Sequence, residues 1–155
     1  FILSLRLNEK LNKYLKSTDP SVEAQKIWID KKLNSDNDYH MIIELKDNMR
    51  VGVIAVYDIE NGSFEWGRWL ISPNQSLVIS IESCYLMYNF SFNTLGLKTT
   101  NLKVRKENLN VFNFHINCGC KIVNEDDVYT YISLEKKSFN NSSNFLQKSK
   151  YRFAF

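Results

Sequence analysis

The sequence is short of the residues on which easily recognised chemistry depends. It has three cysteines, an odd number. Its opening, Phe1-Ile2-Leu3-Ser4-Leu5-Arg6, lacks the basic start and cleavage site of a signal peptide. Together these point away from a disulfide framework and toward a reducing cytoplasm. Cys118 and Cys120 flank Gly119, which without partners is not a zinc spacing, so no metal is expected. None of the five glycines belongs to a P-loop, and no Ser-His-Asp hydrolase motif is present. No apolar run approaches the ~18 uninterrupted residues of a spanning helix, so no membrane is expected as a partner. A net charge of +3 is too small to indicate nucleic acid.

What is present is an ordinary globular balance, 44% hydrophobic and 24% charged, in a chain whose 155 residues suit one domain with a proper core. The chain is organised around Trp66 to Gly119. Phe64–Ile71 reads as a strand, and Ser72-Pro73-Asn74-Gln75-Ser76 as a tight polar turn. A helix follows from Leu77 to Leu95, apolar nearly all round and therefore buried in a layer. Gly96 can close it. Thr99–Arg105 alternates as a strand, and Asn108 caps a helix reaching Cys118, with Gly119 at C′. A strand feeding a helix through a short turn aims backbone N–H groups at one spot, which attracts anions and phosphates above all.

Around this unit the expected elements run in order. Phe1–Leu7 alternates like a strand. Asn8 opens a short helix over Glu9–Leu15. Asp19 as cap and Pro20 as first residue start a helix to Leu33. Tyr39–Lys46 and Met49–Tyr57 are strands, the second apolar on both faces and so central. Asn61-Gly62 is the clearest hairpin signal, since both residues tolerate positive φ. Cys120–Val123 and Val128–Leu134 complete the strands, leaving Phe139–Phe155 as a tail.

That order, and Val104-Arg105-Lys106-Glu107-Asn108-Leu109-Asn110-Val111-Phe112-Asn113-Phe114-His115-Ile116-Asn117-Cys118-Gly119-Cys120 above all, resembles the GCN5-related N-acetyltransferase (GNAT) superfamily. The family's pattern there is a strand, then Glu-Asn, an aromatic and Gly-Phe. The branch most similar contains ribosomal-protein alanine and sugar-nucleotide amine acetyltransferases. Phe1–Arg6 and Trp66-Gly67-Arg68-Trp69 lean toward the latter. The resemblance implies an α+β fold: a mixed, mostly antiparallel seven-stranded sheet flanked by helices. The domain would span 1–137 and the tail 138–155. Phe64–Ile71 and Thr99–Arg105 would run parallel and splay apart. It implies acetyl-CoA as co-substrate and a small-molecule amine as acceptor, an amino sugar on a nucleotide first. Protein N-terminal or small-amine acetylation, or CoA or partner binding without catalysis, are the alternatives. Assembly as a homodimer is left open.

By the same resemblance, the pantetheine arm of CoA would pair with backbone at Leu70 and Ile71. The turn at Ser72, Asn74, Gln75 and Ser76 would hold the pyrophosphate, and Asn108 would touch the CoA arm. The family's loop carries two glycines that this turn lacks; Asn74 in a left-handed conformation and Ser76 as helix cap are the substitutes. His115 stands where the family often has a tyrosine that protonates the departing thiolate, and its reference pKa of ~6.5 suits that task at neutral pH. Glu65 is the candidate base for the amine, its pKa open to a rise from its aromatic neighbours. A regular strand would put Arg68 on the face opposite Glu65. Arg6 and Arg68 are candidate phosphate contacts for a nucleotide-linked substrate. Trp66 can stack on a sugar or base, although core packing is the commoner fate of tryptophan.

Overall fold

A computed structural model describes residues 1–142. A six-stranded mixed sheet runs through the molecule in the order β1-β2-β3-β4-β6-β5. Its strands are β1 (Tyr39–Glu44), β2 (Arg50–Glu60), β3 (Ser63–Ile71), β4 (Thr99–Arg105), β5 (Lys121–Glu125) and β6 (Tyr129–Glu135). The helices are α1 (Ile2–Arg6), α2 (Val22–Leu33), α3 (Leu77–Asn89), α4 (Leu109–Asn117) and α5 (Lys136–Ser142).

The seventh expected strand is a helix. Phe1–Leu7 alternates in polarity, but a strand would have to bury Phe1, Leu3, Leu5 and Leu7 together. In α1 only Leu5 is buried, against Val53 and Leu70, while Phe1 and Leu7 stay exposed. Over Glu9–Leu15 the chain makes successive turns instead of a helix, with Asn8 accepting from the Leu11 and Asn12 amides. The cap of α2 is Ser21, whose hydroxyl accepts from the Ala24 amide at 3.2 Å; the Asp19 carboxylate accepts from the Ser21 amide instead. The helix expected to reach Leu95 ends at Asn89 and continues as a π-turn over Phe90–Thr94, closed by the Leu95 amide donating to the Phe90 carbonyl at 2.9 Å.

The centre of the sheet follows its sequence. Asn61 and Gly62 take φ of 52° and 77°, the doubly positive pair a tight hairpin needs. Val51 to Val56 are all buried, as a strand covered on both faces must be. The main core lies between the sheet and α3, the π-turn and α4, built on Phe64, Trp66, Tyr88, Phe92, Ile132 and Leu134. It continues into α5, where Phe139 is buried beside Tyr88 and Phe92. Residues 143–155 of the expected tail lie outside the described residues.

Two features of β3 place the site. Antiparallel to β2, it pairs in parallel with β4 only at Ser63–Thr99 and Phe64–Thr100. Beyond Phe64 the two strands have no ladder between them, so the sheet splays. Between Val53–Leu70 and Ala55–Gly67 the register with β2 slips by one residue, a bulge in which Arg68 adopts φ 48°.

Candidate active site

The splay opens onto a cavity of about 780 Å³. Glu65, Gly67 and Arg68 of β3 form one wall, and Leu102, Lys103 and Arg105 of β4 another. Tyr57, Asn108 and His115 complete the sheet side, and Arg6, Thr18, Trp28 and Lys32 come from the N-terminal segment. That segment is tied across the cavity by Tyr14, whose hydroxyl donates to the Glu107 carbonyl at 3.1 Å.

The bulge corrects the expectation for Arg68. A regular strand would send Glu65 and Arg68 to opposite faces. The extra residue at Gly67–Arg68 shifts the alternation by one, and both side chains face the cavity. Trp66 and Trp69 pack mainly on the opposite side, against Tyr88 and Phe114, while each also reaches the cavity wall. Tyr57 spans the two cavity residues. Its hydroxyl donates to Glu65 Oε1 at 2.9 Å, and the Arg68 guanidinium lies 4.0 Å over its ring. The other Glu65 oxygen pairs with Lys103 at 3.6 Å. Gly67 makes this arrangement possible: a Cβ there would stand 2.8 Å from the Tyr57 hydroxyl.

His115 is buried, 5% exposed, edge-on to Trp66 with ring centroids 5.2 Å apart. Burial pushes its pKa down to about 4. The reference value assumed from sequence is therefore corrected: at neutral pH the ring is uncharged and offers one N–H donor. Its Nδ1 and the neighbouring Trp66 Nε1 are buried without a hydrogen-bond partner among the described residues. Trp66 contributes to the cavity wall, but most of its surface is core.

Asn108 precedes α4 as expected, and its carbonyl accepts from the Phe112 amide at 3.0 Å. Its side chain makes no cap bond. With φ −89° and ψ 61° the residue departs from the extended conformation of a capping asparagine, and its amide is left to the cavity. Leu70, Ile71, Ser72, Asn74, Gln75 and Ser76 do not line the large cavity; they continue β3 into α3. Leu70 is buried, Ile71 pairs with Gly52, and the Ser72 amide donates to the Val51 carbonyl at 2.7 Å. Asn74 takes φ 68°, and Ser76 caps α3 by accepting from the Val78 amide at 3.3 Å.

Sequence reasoning missed Tyr57, Gly67, and a cluster centred on Asp38, the residue immediately before β1. The Asp38 side chain is 4% exposed and gathers Lys32 at 2.5 Å, Arg68 at 2.6 Å and His40 at 2.9 Å. Burial raises its pKa, but hydrogen bonds from Lys32 and Arg68 and the charges of Arg68 and His40 outweigh that and hold it below the usual carboxylate range. For His40, burial and then the Arg68 charge lower the pKa against the pull of Asp38. These partners come from α2, β1 and β3, so no local motif announces them.

The cavity lining carries six basic side chains, Arg6, Lys16, Lys32, Arg68, Lys103 and Arg105, against two carboxylates, Asp19 and Glu65. Among the described residues no group of three or more His, Cys, Asp and Glu is placed to hold a metal ion, and no helix is long and apolar enough to cross a membrane.

A protein-family profile described as an acetyltransferase (GNAT) domain matches residues 1–121. Among solved structures, the chain is 31% identical to apo FdhC, described as a nucleotide-linked sugar GNAT. That match has a TM-score of 0.83 over 97% of this chain and 86% of the other. The chain is 17% identical to spermidine N-acetyltransferase from Vibrio cholerae in complex with CoA and spermine, TM-score 0.81, with 91% of each chain covered. A GCN5-related N-acetyltransferase from Brucella melitensis matches at 18% identity and TM-score 0.76, over 95% of this chain and 75% of the other. At these two lower identities the likeness shows the fold alone. No curated protein sequence matches the chain.

Proposed function

The chain belongs to the GNAT acetyltransferase family, and from that premise we propose that it transfers acetyl from acetyl-CoA to the amine of an amino sugar carried on a nucleotide. The observation that carries the acceptor class is the excess of basic over acidic side chains around the cavity. Cations in a confined, partly desolvated space favour an anionic ligand, and a polyamine would meet repulsion there. The likeness to a nucleotide-linked sugar GNAT at 31% identity supports the same choice.

Acetyl-CoA suits the residues at the splay. The β4-facing edge of β3 beyond Phe64 has no strand partner, which fits an extended amide chain at Leu70 and Ile71. The left-handed Asn74 and the capped start of the 13-residue α3 present N–H groups without glycine, fitting phosphate at Ser72, Asn74, Gln75 and Ser76. Asn108 lines the same gap, and its side-chain amide makes no hydrogen bond among the described residues. Acetyl-CoA, when bound, would supply the acetyl group as a thioester, whose carbon–sulfur bond is exchanged for the new amide bond while CoA leaves as the thiolate, with no redox change. Glu65 takes the proton that the nitrogen loses, held for that role by the Tyr57 hydroxyl. His115 acts as a neutral N–H donor toward the gap. A backbone N–H of the open β3 edge stabilises the oxyanion. Cys84, Cys118 and Cys120 are buried and form no disulfide among the described residues, which accords with a reducing, cytoplasmic setting.

Release of free CoA is the direct assay, with nucleotide-linked amino sugars and spermidine as competing acceptors. Turnover of the nucleotide-linked amines and little of spermidine is expected. The reverse preference overturns the acceptor class. Absence of acetyl-CoA binding at millimolar concentration overturns acetyl transfer itself.

A further inference from the structure

We propose that Arg6 and Arg68, with Arg68 set by the buried Asp38, form the subsite for the diphosphate of the acceptor; this rests on the nucleotide-linked reading above. Arg6 is half-buried and pairs with no carboxylate among the described residues. Its one hydrogen bond runs from Nε to the Thr18 hydroxyl, 2.9 Å away, which leaves both terminal nitrogens of the guanidinium for a ligand. Burial, followed by the nearby charge of Arg68, lowers the Arg6 pKa, so the two guanidiniums feel one another across the cavity wall. Of these two close cations only Arg68 has a carboxylate partner, Asp38, so the pair lacks counter-charge on the open side. A diphosphate supplies it, and planar guanidiniums match its oxygens.

Arg68 owes its position to Asp38. Its Nη1 is committed to Asp38, and His40 contacts the same nitrogen. Its Nε and Nη2 make no hydrogen bond among the described residues. Backbone at φ 48° is unfavourable for a residue with a Cβ, and the ion pair together with the stacking on Tyr57 and Trp28 holds it there. Tyr57 then fixes the distance to the chemistry, since the ring beneath Arg68 ends in the hydroxyl bonded to Glu65. The anion-binding groups and the proposed base are one tyrosine side chain apart, and a single sugar ring joins the diphosphate to the amine in such an acceptor.

Two substitutions test this by calorimetric titration of the full chain, presaturated with CoA, with UDP and dTDP as probes. Wild type should bind at micromolar concentration, more weakly as salt rises. Arg6→Gln should weaken the probes about tenfold or more while acetyl-CoA affinity holds. Asp38→Asn separates placement from bulk charge. It adds one positive charge to the site, so charge alone predicts tighter probe binding, whereas loss of Arg68 placement predicts weaker binding and a raised KM for the acceptor with the KM for acetyl-CoA unchanged. Urea midpoints check that each variant folds. Equal probe binding by wild type and Arg6→Gln overturns the subsite, and tighter binding by Asp38→Asn overturns its positioning role. Acetyl-CoA binding with no nucleoside diphosphate binding overturns this inference and leaves acetyl transfer standing; loss of acetyl-CoA binding from wild type would instead remove the reading on which it rests.

Discussion

Replacing His115 by Phe should remove a pH dependence that the fold imposes on its own stability. Phe retains a ring of similar size between Trp66 and Phe114. In the folded chain burial pushes the imidazole down to about 4; unfolded, it titrates near ~6.5. Between those values the unfolded chain binds a proton that the native chain refuses, so native stability falls as the pH drops through this window. Above the upper value the contribution is constant. At pH 4.5 the linkage amounts to about 2.5 kcal/mol. Carboxylates with depressed pKa values, such as Asp38, also destabilise the protein in acid, but they are common to both proteins and cancel in the difference. Urea unfolding of wild type and His115→Phe at pH 7.5 and 4.5 gives the four free energies needed. Wild type should lose about 2.5 kcal/mol more than the variant between the two conditions. At pH 7.5 the variant should be no less stable, because it also removes a buried ring nitrogen that has no partner among the described residues. Parallel losses, within about 0.5 kcal/mol, would mean that the native ring takes up its proton as freely as in water, and would refute the buried, uncharged donor.

Three further outcomes are expected. Glu65→Gln should lower kcat by about a hundredfold, while acetyl-CoA affinity measured by titration stays unchanged. Gly67→Ala should lower kcat by tenfold or more with little change in melting temperature, because its Cβ would displace the Tyr57 hydroxyl from Glu65; full activity in this variant would show that the Tyr57–Glu65 bond is dispensable. Phe139→Ala should destabilise the fold by about 3 kcal/mol in urea titration, since a buried aromatic packed on Tyr85, Tyr88 and Phe92 leaves a cavity when truncated.

Where local pattern and tertiary environment agree, the sequence was a good guide. β4 has the expected bounds, Thr99–Arg105, because strict alternation coincides with a helix-covered face and an antiparallel partner along its whole length. The Asn61-Gly62 turn and the left-handed Asn74 were readable because few residues tolerate positive φ. α1 was not, since a five-residue segment fits a period of two as well as a turn of helix, and only the hollow above Val53 and Leu70 decides. The site was half legible. Glu65, Arg6, Arg68, Asn108 and His115 do come together around one cavity. Their relative placement depends on a bulge that no residue in Trp66-Gly67-Arg68-Trp69 announces, because arginine is not a residue that favours φ 48°. Asp38 escaped for a different reason: its partners are supplied by three elements, and a lone aspartate before a strand looks the same whether it ends a loop or anchors a charge cluster.

The two rungs between β3 and β4 also decide how the gap keeps its width. A continuous ladder fixes strand separation by hydrogen-bond length, and every strand pair in every protein has nearly the same value. Here the far ends of β3 and β4 are held apart by what packs beneath them: Trp66 on Tyr88 and His115, and Trp69 on Ser83 and Phe114. The aperture is thus a continuous variable set by side-chain volume. Exchange of one buried aromatic for a smaller or larger one can narrow or widen it without altering the backbone hydrogen bonds on either half of the sheet.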